Sequence, residues 1–265
     1  MKIDERFYFS GHAIGVAAHF HRIDDVHDLD HRIPTLGSSV IPSVGGQSRH
    51  RVAHFAYTAS HPRHITLLSA RKAETMARGK CLPNQQFETE ISAVVHSLTL
   101  VEKLHVDLVE MHQSSTRGVR GTRSQISTSG CKIEGLRLGN ATIKLELDEE
   151  PFATCGTCDD LKAYCGKNSS RLLMADGTPM VQELNGKVFG SVFRSVTKHG
   201  PEQELQKIHI DGYSIRWEGF GTIYLGEVIV SNDDRRITML RLKMGSDAGG
   251  SGSVGDGHTN SGWLP

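Results

Sequence analysis

Between Arg6 and Arg22 the side chains alternate with a period of two. Phe7, Phe9, Gly11, Ala13, Gly15, Ala17, His19 and His21 fall on one face, and Tyr8, Ser10, His12, Ile14, Val16, Ala18 and Phe20 on the other. That period is incompatible with a helix, and its length predicts one long strand or a bent pair. The signal returns later. Ile143, Leu145 and Leu147 alternate with lysine and glutamate after Gly139-Asn140. Asn185-Gly186, a dipeptide that tolerates the positive φ angles of a tight hairpin turn, separates Met180–Leu184 from Lys187–Phe189. Ser231–Asp234 separates Thr222–Val230 from Arg235–Met244 in the same way. Alternating runs joined by tight turns predict a mainly β protein: an antiparallel sandwich or barrel with at most one or two short helices.

Two stretches fit either period. In Ile65–Gly79, Ser69 could cap a short helix through Ala70, Ala73 and Ala77. In Phe87–Met111, Val94, Leu98, Val101, Leu104 and Leu108 suit one helical face, while Leu104 to Leu108 alternates with His105 and Asp107 and favours strands. Ser38–Gly46, with Pro42 and Gly45-Gly46, reads as a loop. The expected organisation is a single mainly-β domain over residues 1–247. A Gly/Ser-rich tail follows over residues 248–265, flexible until Trp263 offers an anchor.

Composition narrows the partners. Lys plus Arg and Asp plus Glu are 30 each, so no global field holds a polyanion, and nucleic acid is not expected. A 37% hydrophobic content with 28 glycines indicates many turns around a modest core. No apolar window approaches the roughly 20 residues that cross a bilayer, so no membrane partner is expected. The start, Met-Lys-Ile-Asp-Glu-Arg, lacks the basic region and continuous apolar stretch of a signal peptide, which implies a cytoplasmic protein if residue 1 is the native start.

The chemistry-bearing feature is a cluster near the N-terminus. Five of the 15 histidines (His12, His19, His21, His27 and His31) lie between residues 12 and 31 with Asp24, Asp25, Asp28 and Asp30. His19 and His21, two apart on a strand, would project from one face with Cα atoms roughly 6.5 to 7 Å apart, a spacing that lets two imidazoles share an ion. His27 and His31, four apart, would share a face of one helical turn, which Pro34 would end. The His-x-His pair on a β-strand resembles the metal-binding strand of cupins in its geometry alone. Ala13 stands where that pattern has a glycine, and Asp25 and Val26 where it has a glutamate. The expected ligand set is His19, His21, His12, His27, His31 and Asp25, around zinc, iron, copper or manganese. The competing reading is a solvated polar surface whose members bond to one another.

Other candidates carry less. His50, His54, His61 and His64 have arginine neighbours that disfavour a bound cation. Cys155-Gly-Thr-Cys158 with Cys165 lacks a second Cys-x-x-Cys and a fourth ligand in view, so these three cysteines are expected to hold no metal. Glu218 and Glu227, near Trp217 and Tyr224, could form a carboxylate pair beside aromatic platforms for a sugar. No nucleophile elbow, P-loop or dinucleotide fingerprint occurs in the required context. Two functions follow as expectations. One is a metal-dependent β-fold enzyme using the N-terminal His/Asp cluster as Lewis acid or redox centre. The other is a non-catalytic β-domain that binds a small molecule or carbohydrate or self-associates through strand edges, with Arg235–Met244 the edge of interest.

Overall fold

A computed structural model describes residues 7–23, 30–60, 64–83, 85–118, 124–168, 179–231, 234–245 and 248–263. The first half contains β1 (Phe7–Tyr8), β2 (Gly11–Ile23), β3 (His31–Val40), β4 (Gly46–Ala59), β5 (Ile65–Cys81), β6 (Phe87–Leu100) and β7 (Leu104–Arg117), then β8 (Gln125–Thr128), β9 (Lys132–Glu134), β10 (Arg137–Leu138) and β11 (Ala141–Leu147). Two short helices follow, α1 (Glu150–Thr154) and α2 (Cys158–Lys167). The remainder holds β12 (Val181–Leu184), β13 (Lys187–Ser191), β14 (Phe193–His199), α3 (Glu202–Leu205), β15 (Ile208–Asp211), β16 (Ser214–Trp217), β17 (Gly221–Val230), β18 (Arg235–Gly245), β19 (Ala248–Thr259) and β20 (Gly262–Trp263).

Two nine-stranded antiparallel sheets form the layers of a β-sandwich. The first runs β14-β11-β10-β7-β6-β5-β4, with β8 and β9 also on β7. The second runs β12-β13-β17-β18-β19-β2-β3, with the β15–β16 hairpin on β17. Both sheets stay open at their ends, so the fold is not a barrel. The apolar core lies between β2, β18 and β19 on one side and β5, β6 and β7 on the other, where Ala13, Val254, Leu98 and Val109 are buried.

Each sheet is bent along one row of residues that crosses its strands. In the second sheet the row is Gly37, Gly15, Gly255, Met239 and Gly226, and every other strand supplies a positive φ: 69° at Gly37, 60° at Gly255 and 58° at Gly226. In the first sheet it is His54, Arg71, Ser97, Asp107 and Gly135, with φ of 50°, 51° and 64° at His54, Ser97 and Gly135. A left-handed residue between extended neighbours reverses the pleat, so the buried set switches parity across the row. On β6 the buried residues run Ile91, Ala93, Val95 and then Leu98, Leu100. On β7 they run Leu104, Val106 and then Val109, Met111.

The ambiguous stretches resolve accordingly. Ile65–Gly79 is not a capped helix but the body of β5, and Phe87–Met111 supplies β6 and β7. Of the residues that suit a helical face, Leu98, Val101 and Leu104 are buried where β6 turns into β7, whereas Val94 and Leu108 are only half-buried. Ser38–Gly46 is less loop than expected, since β3 continues to Val40 and β4 begins at Gly46. The hairpins at Asn185-Gly186 and between β17 and β18 form as expected.

The Gly/Ser-rich segment after Gly245 is not a flexible tail. It forms β19, paired along its length with β18 and β2 near the middle of the second sheet. Its glycines answer a steric demand: a Cβ at Gly257 would lie 2.8 Å from Ile91 Cδ1 and collide with the Met111 methyl group of the opposing sheet. This placement makes β18 an interior strand, so Arg235–Met244 offers no edge. Among the described residues the long edge strand is β4, which pairs with β5 on one side alone.

Candidate functional site

The reversal at Gly15 turns His12, His19 and His21 towards the outer face of the second sheet. Seven positions along β2 nonetheless place His12 roughly 23 Å from His19, too far to share an ion. His19 and His21 remain neighbours, with ring centroids 6.3 Å apart. His19 Nε2 contacts Asp30 Oδ1 at 2.9 Å, and Arg32 Nε donates to the same oxygen at 2.9 Å. The exposed Asp30 carboxyl is held below its ordinary range, chiefly by the Arg32 hydrogen bond. His31 is not on a helical turn but opens β3, where its Nδ1 meets the Tyr57 hydroxyl at 3.0 Å. Pro34 sits within that strand, near an extra residue in β3 that shifts its register against β2. Asp25 and His27 lie outside the described residues. Among the described residues, no three His, Cys, Asp or Glu side chains are grouped to hold a metal ion.

His12 finds a partner the sequence did not suggest. It faces His258 of β19 directly across the strand pair, with ring centroids 5.4 Å apart, and His258 in turn pairs with Asp234. Burial, then the neighbouring His258, pushes the His12 pKa down, against an opposing pull from Asp256. Asp256 is itself buried and fully engaged. It accepts from Arg236 Nε at 3.1 Å, Arg236 Nη2 at 2.9 Å and the Thr238 hydroxyl at 2.9 Å.

A wide depression also lies on this outer face, and the strand registers build it. One row reads Thr222, Lys243, Ser251, His19 and Arg32, and the next reads Tyr224, Arg241, Ser253 and Ala17. Small side chains of β19 and β2 therefore form a floor, with Arg241 and Lys243 on one flank and His19 and Arg32 on the other. The result is an open trough of about 800 Å³. At a strand spacing of about 4.8 Å its two flanks stand roughly 10–15 Å apart. Arg241 is fixed in place: Nε and Nη2 donate to Glu227 at 2.5 and 2.8 Å, and the guanidinium lies 3.7 Å over the Tyr224 ring. Arg241 also borders a smaller hollow of about 300 Å³ under Tyr213, with Phe189, Ile229 and Arg236. Burial, then the Glu227 charge, raises the Tyr213 hydroxyl pKa.

The carboxylate pair expected at Glu218 and Glu227 does not form. Glu218 follows Trp217, which pairs with Gly221 at the start of β17, six residues before Glu227. Glu227 binds Arg241, and Glu218 meets His209 at 3.3 Å. Cys158 opens α2, whose start is fixed by a reciprocal cap between Thr157 and Asp160. The described cysteines are unbridged thiols, and burial raises the pKa values of Cys155, Cys158 and Cys165. Arg235, which sequence reasoning treated only as a strand end, is fully buried behind this segment. It donates to the carbonyls of Phe152 at 2.7 Å and Cys155 at 3.0 Å.

These features define a class: a two-layer antiparallel β-sandwich with an open trough on the outer face of one sheet. Over residues 7–171, more than half of its length, the chain belongs to the family described as domain of unknown function DUF8256. That match contains most of the first sheet and only β2 and β3 of the second, so β17, β18 and β19, which complete the trough, lie beyond it. No curated protein and no solved structure matches the chain. No described helix is long and apolar enough to cross a membrane.

Proposed function

We propose that this chain is a non-catalytic β-sandwich module that binds an acidic oligosaccharide in the trough of the second sheet. The observation that carries the reading is the order of side chains across it. Arg241 and Lys243 of β18 stand on one side and Arg32 of β3, beside His19 of β2, on the other, while β19 presents Ser251 and Ser253 between them. A flat, small-residue floor admits a sugar ring, and serine hydroxyls offer donors and acceptors to its hydroxyl groups. Carboxylates on the sugar complement Lys243 and compete with Asp30 for Arg32, and the Tyr224-supported Arg241 supplies a rigid edge at low ordering cost. Calorimetric titration with a hexamer of galacturonic acid, beside a neutral glucose hexamer, tests it. The acidic hexamer should bind more tightly, weaken with added salt, and lose affinity in Lys243→Ala, Arg32→Ala and the floor-filling Ser251→Trp. Absence of binding to the wild-type protein, or equal binding by all four proteins, sinks the proposal.

A second reading, a metal-dependent enzyme, is favoured by one observation: His19 and His21 leave the same face 6.3 Å apart beside Asp30. A zinc, iron, copper or manganese ion there would displace the His19–Asp30 contact or recruit Asp30 as a ligand, with Asp25 and His27 as the remaining candidates. Metal analysis of untagged protein decides it. Stoichiometric metal that vanishes in a His19→Ala, His21→Ala double variant would support this reading over the first, and metal-free protein with an unshifted melting temperature in added zinc would reject it.

A further inference from the structure

The first sheet ends in an unusual edge. β4 is 14 residues long, and no described strand pairs with its outer side. Exposed strand edges present unpaired main-chain donors and acceptors and are normally kept short or covered. This one is long, mostly exposed, and of one charge sign: Gly46–Ala59 reads GQSRHRVAHFAYTA, with two arginines, two histidines and no acidic residue. Its regular portion spans Gly46–Ala53, because His54, at φ 50°, bends the strand. Beside that portion lies a hollow of about 450 Å³ lined by Arg49, His50, Arg51, Glu74, Met76 and Val94.

We propose that Gly46–Ala53 is a docking edge for an acidic extended segment of another polypeptide, which adds to the first sheet as an extra strand. Main-chain hydrogen bonds along the edge would supply affinity, and alternate side chains of the incoming strand would reach the hollow. Charge selects the occupant. A second copy of this chain, paired antiparallel through the same edge and centred on His50, would set Arg49 against Arg51, and like charges across strands are destabilising. An incoming strand with glutamate or aspartate at alternate positions meets Arg49 instead and competes with Glu74 for Arg51, on the face that carries Met76.

The probe is a fluorescein-labelled acetylated peptide of about eight residues, alternating glutamate and valine, long enough to cover Gly46–Ala53. Anisotropy titrations compare it with a lysine–valine peptide and with a glutamate–valine peptide N-methylated at alternate residues, which keeps its charge but loses strand donors. The acidic peptide should bind, slow hydrogen exchange at β4 amides, and lose at least about tenfold in affinity on N-methylation. Arg49→Glu with Arg51→Glu should switch the preference to the lysine peptide, and Arg49→Ala with Arg51→Ala should weaken the acidic one, circular dichroism confirming that both variants fold. Equal binding by the N-methylated peptide would show charge attraction without strand addition and overturn the proposal. So would equal binding by the lysine peptide, or no binding of the acidic peptide at about 1 mM. The Lys243 and Arg32 variants of the trough should leave this binding unchanged, which separates it from the saccharide reading.

Discussion

Replacing Arg235 by methionine should destabilise the protein severely. A buried arginine is often dispensable, because an ion pair exchanged for packed hydrophobic groups can leave stability unchanged or improved. Here the partners are main-chain carbonyls that no substitution removes. Arg235 donates to Phe152 O at 2.7 Å and Cys155 O at 3.0 Å, and to the Thr128 hydroxyl at 3.3 Å. It pins the turn between α1 and α2 to the start of β18. Burial draws its pKa down to about 10, still far above neutrality, so the cation persists. Methionine nearly fills the space but orphans two carbonyls, at about 1–3 kcal/mol each. Against this stands the relief of guanidinium desolvation, which the three hydrogen bonds already offset in part. The net loss should be about 2–4 kcal/mol, a melting point roughly 5–15 °C lower. Alanine, which adds a cavity, should cost about 2 kcal/mol more. Urea denaturation followed by tryptophan fluorescence measures both. A methionine variant as stable as the parent would refute the assignment of Arg235 as a carbonyl clamp.

Three further outcomes are expected. A chain ending at residue 247 lacks β19 and should fail to give a cooperative melt, and a soluble, two-state product would contradict the central position of that strand. His12 titrates below its ordinary value of 6.5 in the folded protein, so the unfolded chain binds its proton first; stability should fall as pH drops from 6.5 towards the depressed value. Denaturation midpoints of wild type and His12→Gln across pH 5 to 7.5 measure this, and identical slopes would count against it. Among the five thiols, exposed Cys81 should react first with a disulfide reagent, while Cys131, pushed up to about 12, should react only on unfolding. A fast phase that survives Cys81→Ser would contradict this order.

The fold was legible where pattern and turn coincide. Asn185-Gly186 and the alternation on β11 and β17 carry their own geometry, because a hairpin turn and a period of two need no long-range information. Legibility failed at the bent rows. Pleat reversal at Ser97 breaks the period of two within β6, and the buried Leu98, Val101 and Leu104 that follow, spaced by three across the turn into β7, match a helical face locally. It failed again at β19, where composition alone suggested a loose tail; Met111 and Ile91 of the facing sheet leave no room for a side chain at Gly257, and the His19 carbonyl of β2 leaves none at Gly250. Of the candidate site, the adjacency of His19 and His21 was visible from spacing. The pairing of His12 with His258 was not, since those residues are joined only through register between the two extremes of the chain.

The position of β19 also fixes an order of events during synthesis. β2 emerges from the ribosome early and β18 late, and neither can complete its hydrogen bonding until the intervening strand has been made. Ile23 pairs with Ala248, and Gly11 with Thr259. The first sheet, built largely from neighbouring hairpins, can assemble while the rest is still being translated. The second must wait, holding the inward side chains of β2 and β3 against a half-built layer. Such non-local closure is slow and leaves strand edges exposed in the interval. The nascent protein therefore has a defined period of vulnerability to aggregation, which ends only when the glycine-rich strand enters between its neighbours.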